Sequence, residues 1–182
     1  DSSVNLWTWA SFHDSLPEGN YSIVADLAEE EANHAAIGWG LANYEFNRYF
    51  CKKKNKLGPR LVWPSSCDRG HVTRTIKATY LVRDLINTPA SDMGPEQLAE
   101  AVNVVARDYN AFVNIIIGDK LLAENFPAIH AVGRASINSP RLIDLRWGNE
   151  SNPKVTLVGK GVCFDTGGLD IKGSANMKLM KK

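Results

Sequence analysis

The first long stretch of apolar residues at helical spacing covers residues 28–48. Ile37, Leu41 and Tyr44 recur in it three or four positions apart, which is the period of one helix face. Glutamates at 29–31 open the stretch, where carboxylates suit the positive end of a helix dipole. The pattern therefore predicts a helix.

Two further helices are predicted in the middle of the chain, over 72–85 and 94–109. The first ends before Pro89, because the residue preceding a proline is driven out of helical geometry. Gly94 and Pro95 suit the cap and the first helical position of the second.

Short apolar runs between these helices predict strands at 21–27, 60–64, 111–117, 140–147 and 154–160. A short helix is expected after the third run, and the lysine-rich segment 52–56 is expected to be a solvated loop. Helix and strand alternate through the second half of the chain, which favours a doubly wound α/β domain. The boundary between two structural units is expected within the helix at 72–87.

Composition, net charge and cysteine content indicate which partners and which cellular compartment to expect. The chain has 182 residues, 44% of them hydrophobic and 23% charged, as in ordinary globular proteins. The net charge of +1 gives no reason to expect nucleic acid or an anionic membrane as a partner. Three widely spaced cysteines form neither a disulfide framework nor a zinc motif, which favours a reducing compartment.

The candidate chemistry is concentrated in one segment, which reads VGKGVCFDTGGLDIKGSANM from Val158 to Met177. Lys160 and Asp165 follow the apolar strand residues Val155–Val158, at the sheet edge where α/β proteins bind ligands. Asp165 is a hard oxygen ligand for a divalent cation, and Lys160 could ligate one only as the neutral amine. Lys172 could remain charged and stabilise an oxyanion.

Two other interpretations of this segment are open on the residues alone. It can be a glycine-rich surface turn in which Lys160 pairs with Asp165. It can also be a phosphate-binding loop, although it matches neither GxxxxGK[ST] nor GxGxxG. The four histidines are scattered without HxxxH spacing, and Cys163 has no readable partner base, so these side chains are expected to be structural.

The segment resembles the leucyl aminopeptidase family, whose pattern is approximately VGKGVTFDSGGxxIKPSANMxxMKxDMGG. Further stretches are similar to the family: AAIGWGLANYEFNRY at 35–49, VRDLINTPASDMGPEQLAE at 82–100 and AVGRASINSPRLIDLRW at 131–147. The resemblance implies part of an N-terminal α/β domain over 1–70, a linking helix over 71–87, and the first part of a doubly wound metallopeptidase catalytic domain over 88–182.

The resemblance also assigns roles. Lys160 matches the family's metal-binding lysine, and Asp165 matches the aspartate that bridges two metal ions. Lys172 matches the catalytic lysine beside the substrate carbonyl, and Met180 a methionine that lines the pocket for the first side chain. The cofactors implied are two divalent ions of zinc, manganese or magnesium.

The implied activity is hydrolysis of the N-terminal residue, with a leucine-like preference, from peptides by a metal-activated water. A cytoplasmic homo-hexamer is implied as well. The family's remaining metal ligands would follow Lys182, so the chain is expected to be an interior fragment that is inactive alone. The alternatives are a non-catalytic scaffold or binding protein that retains the fold, and a nucleotide-binding α/β domain.

Overall fold

The chain divides into two compact units, Asp1–Asn87 and Thr88–Lys182. The computed structural model describes residues 4–51, 58–163, 169, 172–177 and 180. In its described part the first unit contains helices α1 (Leu6–Ser15), α2 (Glu29–Ala42) and α3 (Arg69–Asn87), and the short strands β1 (Asn20–Tyr21) and β2 (Arg60–Leu61). The two strands pair in parallel, with Asn20 opposite Arg60.

Helix α2 carries most of the first unit's buried side chains. Its buried residues are Ala32, Ala35, Ala36, Ile37, Gly38, Trp39 and Leu41. Ala36, Ile37 and Leu41 form one apolar cluster with Val72 of α3, and side chains of α1 and β2 pack against it. The hydrophobic core of this unit is therefore built around α2.

Two glycines let α2 approach its neighbours closely on opposite sides. A Cβ atom at Gly38 would lie 2.2 Å from the backbone oxygen of Leu6 in α1. A Cβ atom at Gly40 would lie 2.2 Å from Cδ1 of Ile76 in α3. Residues two positions apart on a helix point about 200° apart, so the sequence Gly-Trp-Gly gives α2 two contact faces.

Side chains of α3 satisfy the backbone carbonyls at the end of α2. Arg83 Nη1 donates to the Leu41 oxygen at 2.8 Å, and the Tyr80 hydroxyl donates to the Gly40 oxygen. The hydroxyl of Tyr44, just after α2, donates to Asp84 Oδ1 at 2.8 Å. The last carbonyls of a helix have no intrahelical donor, so these bonds join the ends of the two helices.

Asp68 caps the other end of α3. Its backbone oxygen accepts the Val72 N–H at 3.0 Å, and its carboxylate accepts the His71 N–H at 2.9 Å. The Asp68 N–H donates to Asn33 Oδ1 of α2, also at 2.9 Å. The capping residue thus connects the start of α3 to α2.

The second unit alternates helix and strand. Its elements in the described residues are a 3-10 turn (Ala90–Asp92), α4 (Pro95–Asp108), β3 (Phe112–Ile117), α5 (Lys120–Ala123), α6 (Pro127–Gly133), β4 (Arg141–Arg146) and α7 (Ser174–Met177). Strands β3 and β4 pair antiparallel, with Phe112 opposite Arg146. Gly94 caps α4, and its N–H donates to the Gln97 side-chain oxygen at 3.1 Å.

The α/β class and the main helices are confirmed. The helices predicted at 28–48, 72–85 and 94–109 correspond to α2, α3 and α4, although α2 already ends at Ala42. The strands predicted at 111–117 and 140–147 correspond to β3 and β4. An antiparallel pair is compatible with a doubly wound domain, because mixed sheets often carry an antiparallel edge strand.

The other strand predictions were too long or wrong. The strands expected at 21–27 and 60–64 are only two residues each, because their pairing ends after one register step. The strand expected at 154–160 does not form, and Leu157 is 92% exposed. A strand requires a hydrogen-bonded neighbour, and in the described chain β3 and β4 pair only with each other. The loop expected at 52–56 lies outside the described residues.

No helix in the described ranges is both long enough and apolar enough to cross a bilayer.

Gly38→Ala should lower the free energy of unfolding by about 1–3 kcal/mol, the usual cost of overpacking a filled core. The new methyl group would meet backbone, which cannot move without displacing α1. Gly40→Ala is the matched control: it meets the flexible end of Ile76 and gains about 1 kcal/mol of helix propensity. Urea unfolding followed by tryptophan fluorescence measures both, and equal midpoints would contradict the close contact at Gly38.

Asp68→Ala should lower the melting temperature at neutral pH, because it removes the cap of α3. The backbone N–H of His71 holds the pKa of the Asp68 carboxyl below its usual value. The stability it adds is therefore present above the unfolded-state pKa and lost as pH falls through the folded-state pKa. Calorimetry from about pH 7 to about pH 3 should show the difference from wild type shrinking. Asp68→Asn keeps a capping oxygen and should lose less.

Candidate active site

The first predicted site residue, Lys160, lies in a stretch without regular secondary structure, residues 153–163. Lys160 itself is exposed. A Cβ atom added at either neighbouring glycine, Gly159 or Gly161, would meet nothing within 4 Å. In the described structure these glycines therefore leave open space around Lys160 rather than permit a close backbone contact.

Lys172 and Met180 are brought together at α7. Lys172 Nζ lies 3.9 Å from Met180 Sδ and is the donor in that contact. Two backbone hydrogen bonds join described residues of this segment: the Gly173 oxygen accepts the Met177 N–H at 3.2 Å, and the Met177 oxygen accepts the Met180 N–H at 3.1 Å. Met177 is 8% exposed, whereas Met180 is 41% exposed.

Asp165 lies outside the described residues, so the described part of the predicted site consists of Lys160, Lys172 and Met180. Among the residues that are described, no group of three or more histidine, cysteine, aspartate or glutamate side chains is gathered as a metal site requires. Lys160 alone offers one nitrogen donor, which cannot hold two divalent ions. The described residues therefore do not by themselves make up a dinuclear metal site.

Histidines and cysteines elsewhere have structural surroundings. His130 Nε2 lies 3.1 Å from Asp119 Oδ1, and His13 Nε2 lies 2.9 Å from Asn43 Oδ1. Cys67 packs against the core of the first unit, and burial raises the pKa of its thiol. A raised pKa leaves less thiolate at neutral pH, so Cys67 is a poor nucleophile.

A groove that the sequence did not predict lies in the first unit, between α1, α2 and α3. Its volume is about 650 Å³. Its apolar lining includes Leu6, Trp7, Ile37 and Leu41. The helical spacing of Ile37 and Leu41 was visible in the sequence, but spacing alone does not show that their neighbours leave a groove.

Comparison with protein families covers both units. The family model described as the cytosol aminopeptidase family, catalytic domain, matches residues 80–182. The model described as the M17 aminopeptidase N-terminal domain matches residues 1–64. The chain belongs to the cytosol aminopeptidase family. Lys160, Lys172 and Met180 all fall within the part matched to the catalytic domain, as does Asp165.

A curated relative in the M17 family comes from Aeropyrum pernix and is called a probable cytosol aminopeptidase. It is 32% identical over 169 residues, which cover 92% of this chain and 34% of the relative. Peptidase B of Pectobacterium carotovorum is 38% identical over 156 residues, which cover 81% of this chain and 36% of that protein. The chain thus spans about a third of the length of these family members.

Solved structures of M17-type enzymes share the fold. The crystal structure of cytosol aminopeptidase from Coxiella burnetii superposes with a TM-score of 0.84 at 47% identity, covering 96% of this chain and 38% of that one. The bottromycin maturation enzyme BotP, in complex with Mn, gives a TM-score of 0.73 at 28% identity, covering 95% of this chain and 40% of that one.

Proposed function

We propose that the complete protein is a metal-dependent aminopeptidase that removes the N-terminal residue, with a leucine-like preference, from peptides. The observation that carries this proposal is the match of the family's catalytic domain to residues 80–182, which include every residue that the sequence assigned to the site. The named relatives, a probable cytosol aminopeptidase and Peptidase B, support the same class of reaction.

The cofactors proposed are two divalent ions of zinc, manganese or magnesium, with Lys160 and Asp165 among their ligands. The binding of Mn by BotP supports a metal of this kind. Such ions, when bound, polarise a carbonyl and lower the pKa of a bound water. Lys160 is exposed and its glycine neighbours leave space beside it, so its amine is accessible to a cation.

Lys172 is proposed to stabilise the negative charge that develops on the substrate's carbonyl oxygen. No carboxylate among the described residues lies within ion-pair distance of its ammonium. A fixed positive charge beside a developing oxyanion acts mainly on the transition state. Met180, beside it, offers an apolar surface for the side chain of the residue to be released.

A cytoplasmic homo-hexamer is proposed from the family resemblance. The net charge of +1 supports neither nucleic acid nor an anionic membrane as a partner.

The test of this function is to assay full-length protein, loaded with zinc or manganese, on a panel of amino-acid amides. Release of the N-terminal residue, abolished by a chelator and restored by metal, is expected. If the loaded protein releases no residue from any amide, the scaffold hypothesis is favoured. Nucleotide binding in a parallel titration would instead favour the nucleotide-binding hypothesis.

Asp165→Asn and Lys172→Ala should affect different steps. Asp165→Asn removes a charged oxygen ligand and should weaken metal binding, measured by calorimetric titration of the apo-enzyme. Lys172→Ala should leave metal affinity unchanged and lower kcat by about 100-fold, as the loss of one oxyanion donor does. Unchanged metal affinity in Asp165→Asn would contradict the assignment of this residue as a ligand.

Residues 1–182 expressed alone should show no turnover of leucine amide with zinc or manganese. The resemblance implies that the remaining ligands follow Lys182, and two cations sharing a single carboxylate would repel each other. The full-length enzyme is the control. Turnover by 1–182 comparable with that control would mean that the further ligands are unnecessary.

A further inference from the structure

The contact between Lys172 and Met180 is weak as it stands. Lys172 Nζ lies 3.9 Å from Met180 Sδ, and a thioether sulfur is a poor hydrogen-bond acceptor. Lys172 has no ion-pair partner in the described part of the chain. The ammonium can therefore leave the sulfur for a better acceptor, such as the oxygen of a substrate.

Met180 is also the most exposed methionine in the described residues. The sequence contains three methionines. Met180 is 41% exposed, whereas Met177 is 8% exposed and Met93 is half-buried. Oxidation of methionine follows its exposure, so we expect a mild oxidant to modify Met180 before the other two.

We propose that Met180 is a reversible oxidation site whose sulfoxide holds Lys172 away from the substrate; this inference rests on the proposed function. The oxidant is a peroxide. The sulfur attacks one peroxide oxygen, the O–O bond breaks, and water or an alcohol leaves with the other oxygen. Sulfur loses two electrons and the peroxide gains them. A thiol-dependent methionine sulfoxide reductase reverses the step, forming water and a disulfide.

The sulfoxide changes the contact because its oxygen carries substantial negative charge. Because Lys172 Nζ lies 3.9 Å from Met180 Sδ, an oxygen bonded to that sulfur can come within hydrogen-bond distance of the ammonium. A hydrogen bond from an ammonium is charge-assisted and is about twice as strong as a neutral one. It would compete with the developing oxyanion for the same ammonium.

The expected effect is a fall in kcat of about tenfold, the size that one hydrogen bond to a charged group produces at a site of this kind. A change in the polarity of the pocket would have a different kinetic effect. If the sulfoxide merely made the pocket polar, KM for apolar first residues would rise and kcat would be unchanged. The split between kcat and KM therefore distinguishes restraint of Lys172 from a change in pocket polarity.

The experiment treats full-length, metal-loaded enzyme with hydrogen peroxide and compares each variant with its own untreated activity. Peptide mapping by mass spectrometry identifies which methionines gain an oxygen. Wild type should lose kcat, and Met180→Leu should not, because leucine fills a similar volume without an oxidisable sulfur. Dithiothreitol should not restore the wild type, whereas methionine sulfoxide reductase should. This separates Met180 from reversible oxidation of the three cysteines.

An equal loss of kcat in Met180→Leu would overturn the proposal, and so would a rise in KM alone. A protein without activity before treatment would refute the proposed function instead.

A second measurement, the reactivity of the Lys172 amine, requires no turnover and so tests the restraint even in an inactive protein. Acylation of Lys172 by an amine-reactive ester should slow after oxidation in wild type but not in Met180→Leu. An unchanged rate in wild type would contradict the restraint.

Discussion

The close approach of α1 to α2 at Gly38 is the contact on which the core of the first unit depends. With no side chain at this position, the backbone of α1 lies where a β-carbon would otherwise be. On the opposite side Gly40 leaves room for the side chain of Ile76 in α3. The buried cluster of Ala36, Ile37, Leu41 and Val72 lies where these closely packed helices meet. A larger side chain at Gly38 would push α1 away from α2 and open that cluster to water.

Hydrogen bonds also join α2 to α3. Tyr80 and Arg83 occupy the carbonyls at the end of α2, and Tyr44 bonds to Asp84. Burial and the bond to Asp84 raise the pKa of the Tyr44 hydroxyl, so it remains a donor at any physiological pH. Arg83 and Asp84 lie in a stretch that resembles the start of the family's catalytic domain. Their side chains nevertheless bind residues of the first unit.

The helices were predictable from local sequence signals. The strands and the close helix contacts depend on tertiary neighbours, which local signals do not show. Caps and periodicity identified α3 and α4, because those signals lie within the helices themselves. The pattern at 154–160 shows that these residues can form a strand, but it cannot show whether a neighbouring strand is available. The close packing at Gly38 was equally hidden, because it depends on a backbone 32 residues earlier in the chain. In the candidate site, residue type suggested the role of Lys172 and the family resemblance suggested that of Met180, whereas neither could show that the two side chains are in contact.

The exposed run at 155–158 has a consequence for solubility. Val155, Leu157 and Val158 are 83%, 92% and 91% exposed, and such β-prone apolar runs are the segments through which identical chains stack into cross-β aggregates. Lysines stand at both ends of this run, Lys154 and Lys160. Stacking in register would place each lysine against its copies in neighbouring chains, and the repulsion between like charges opposes that stacking. The lysine assigned to metal binding would therefore also act as a gatekeeper against aggregation whenever this segment is uncovered.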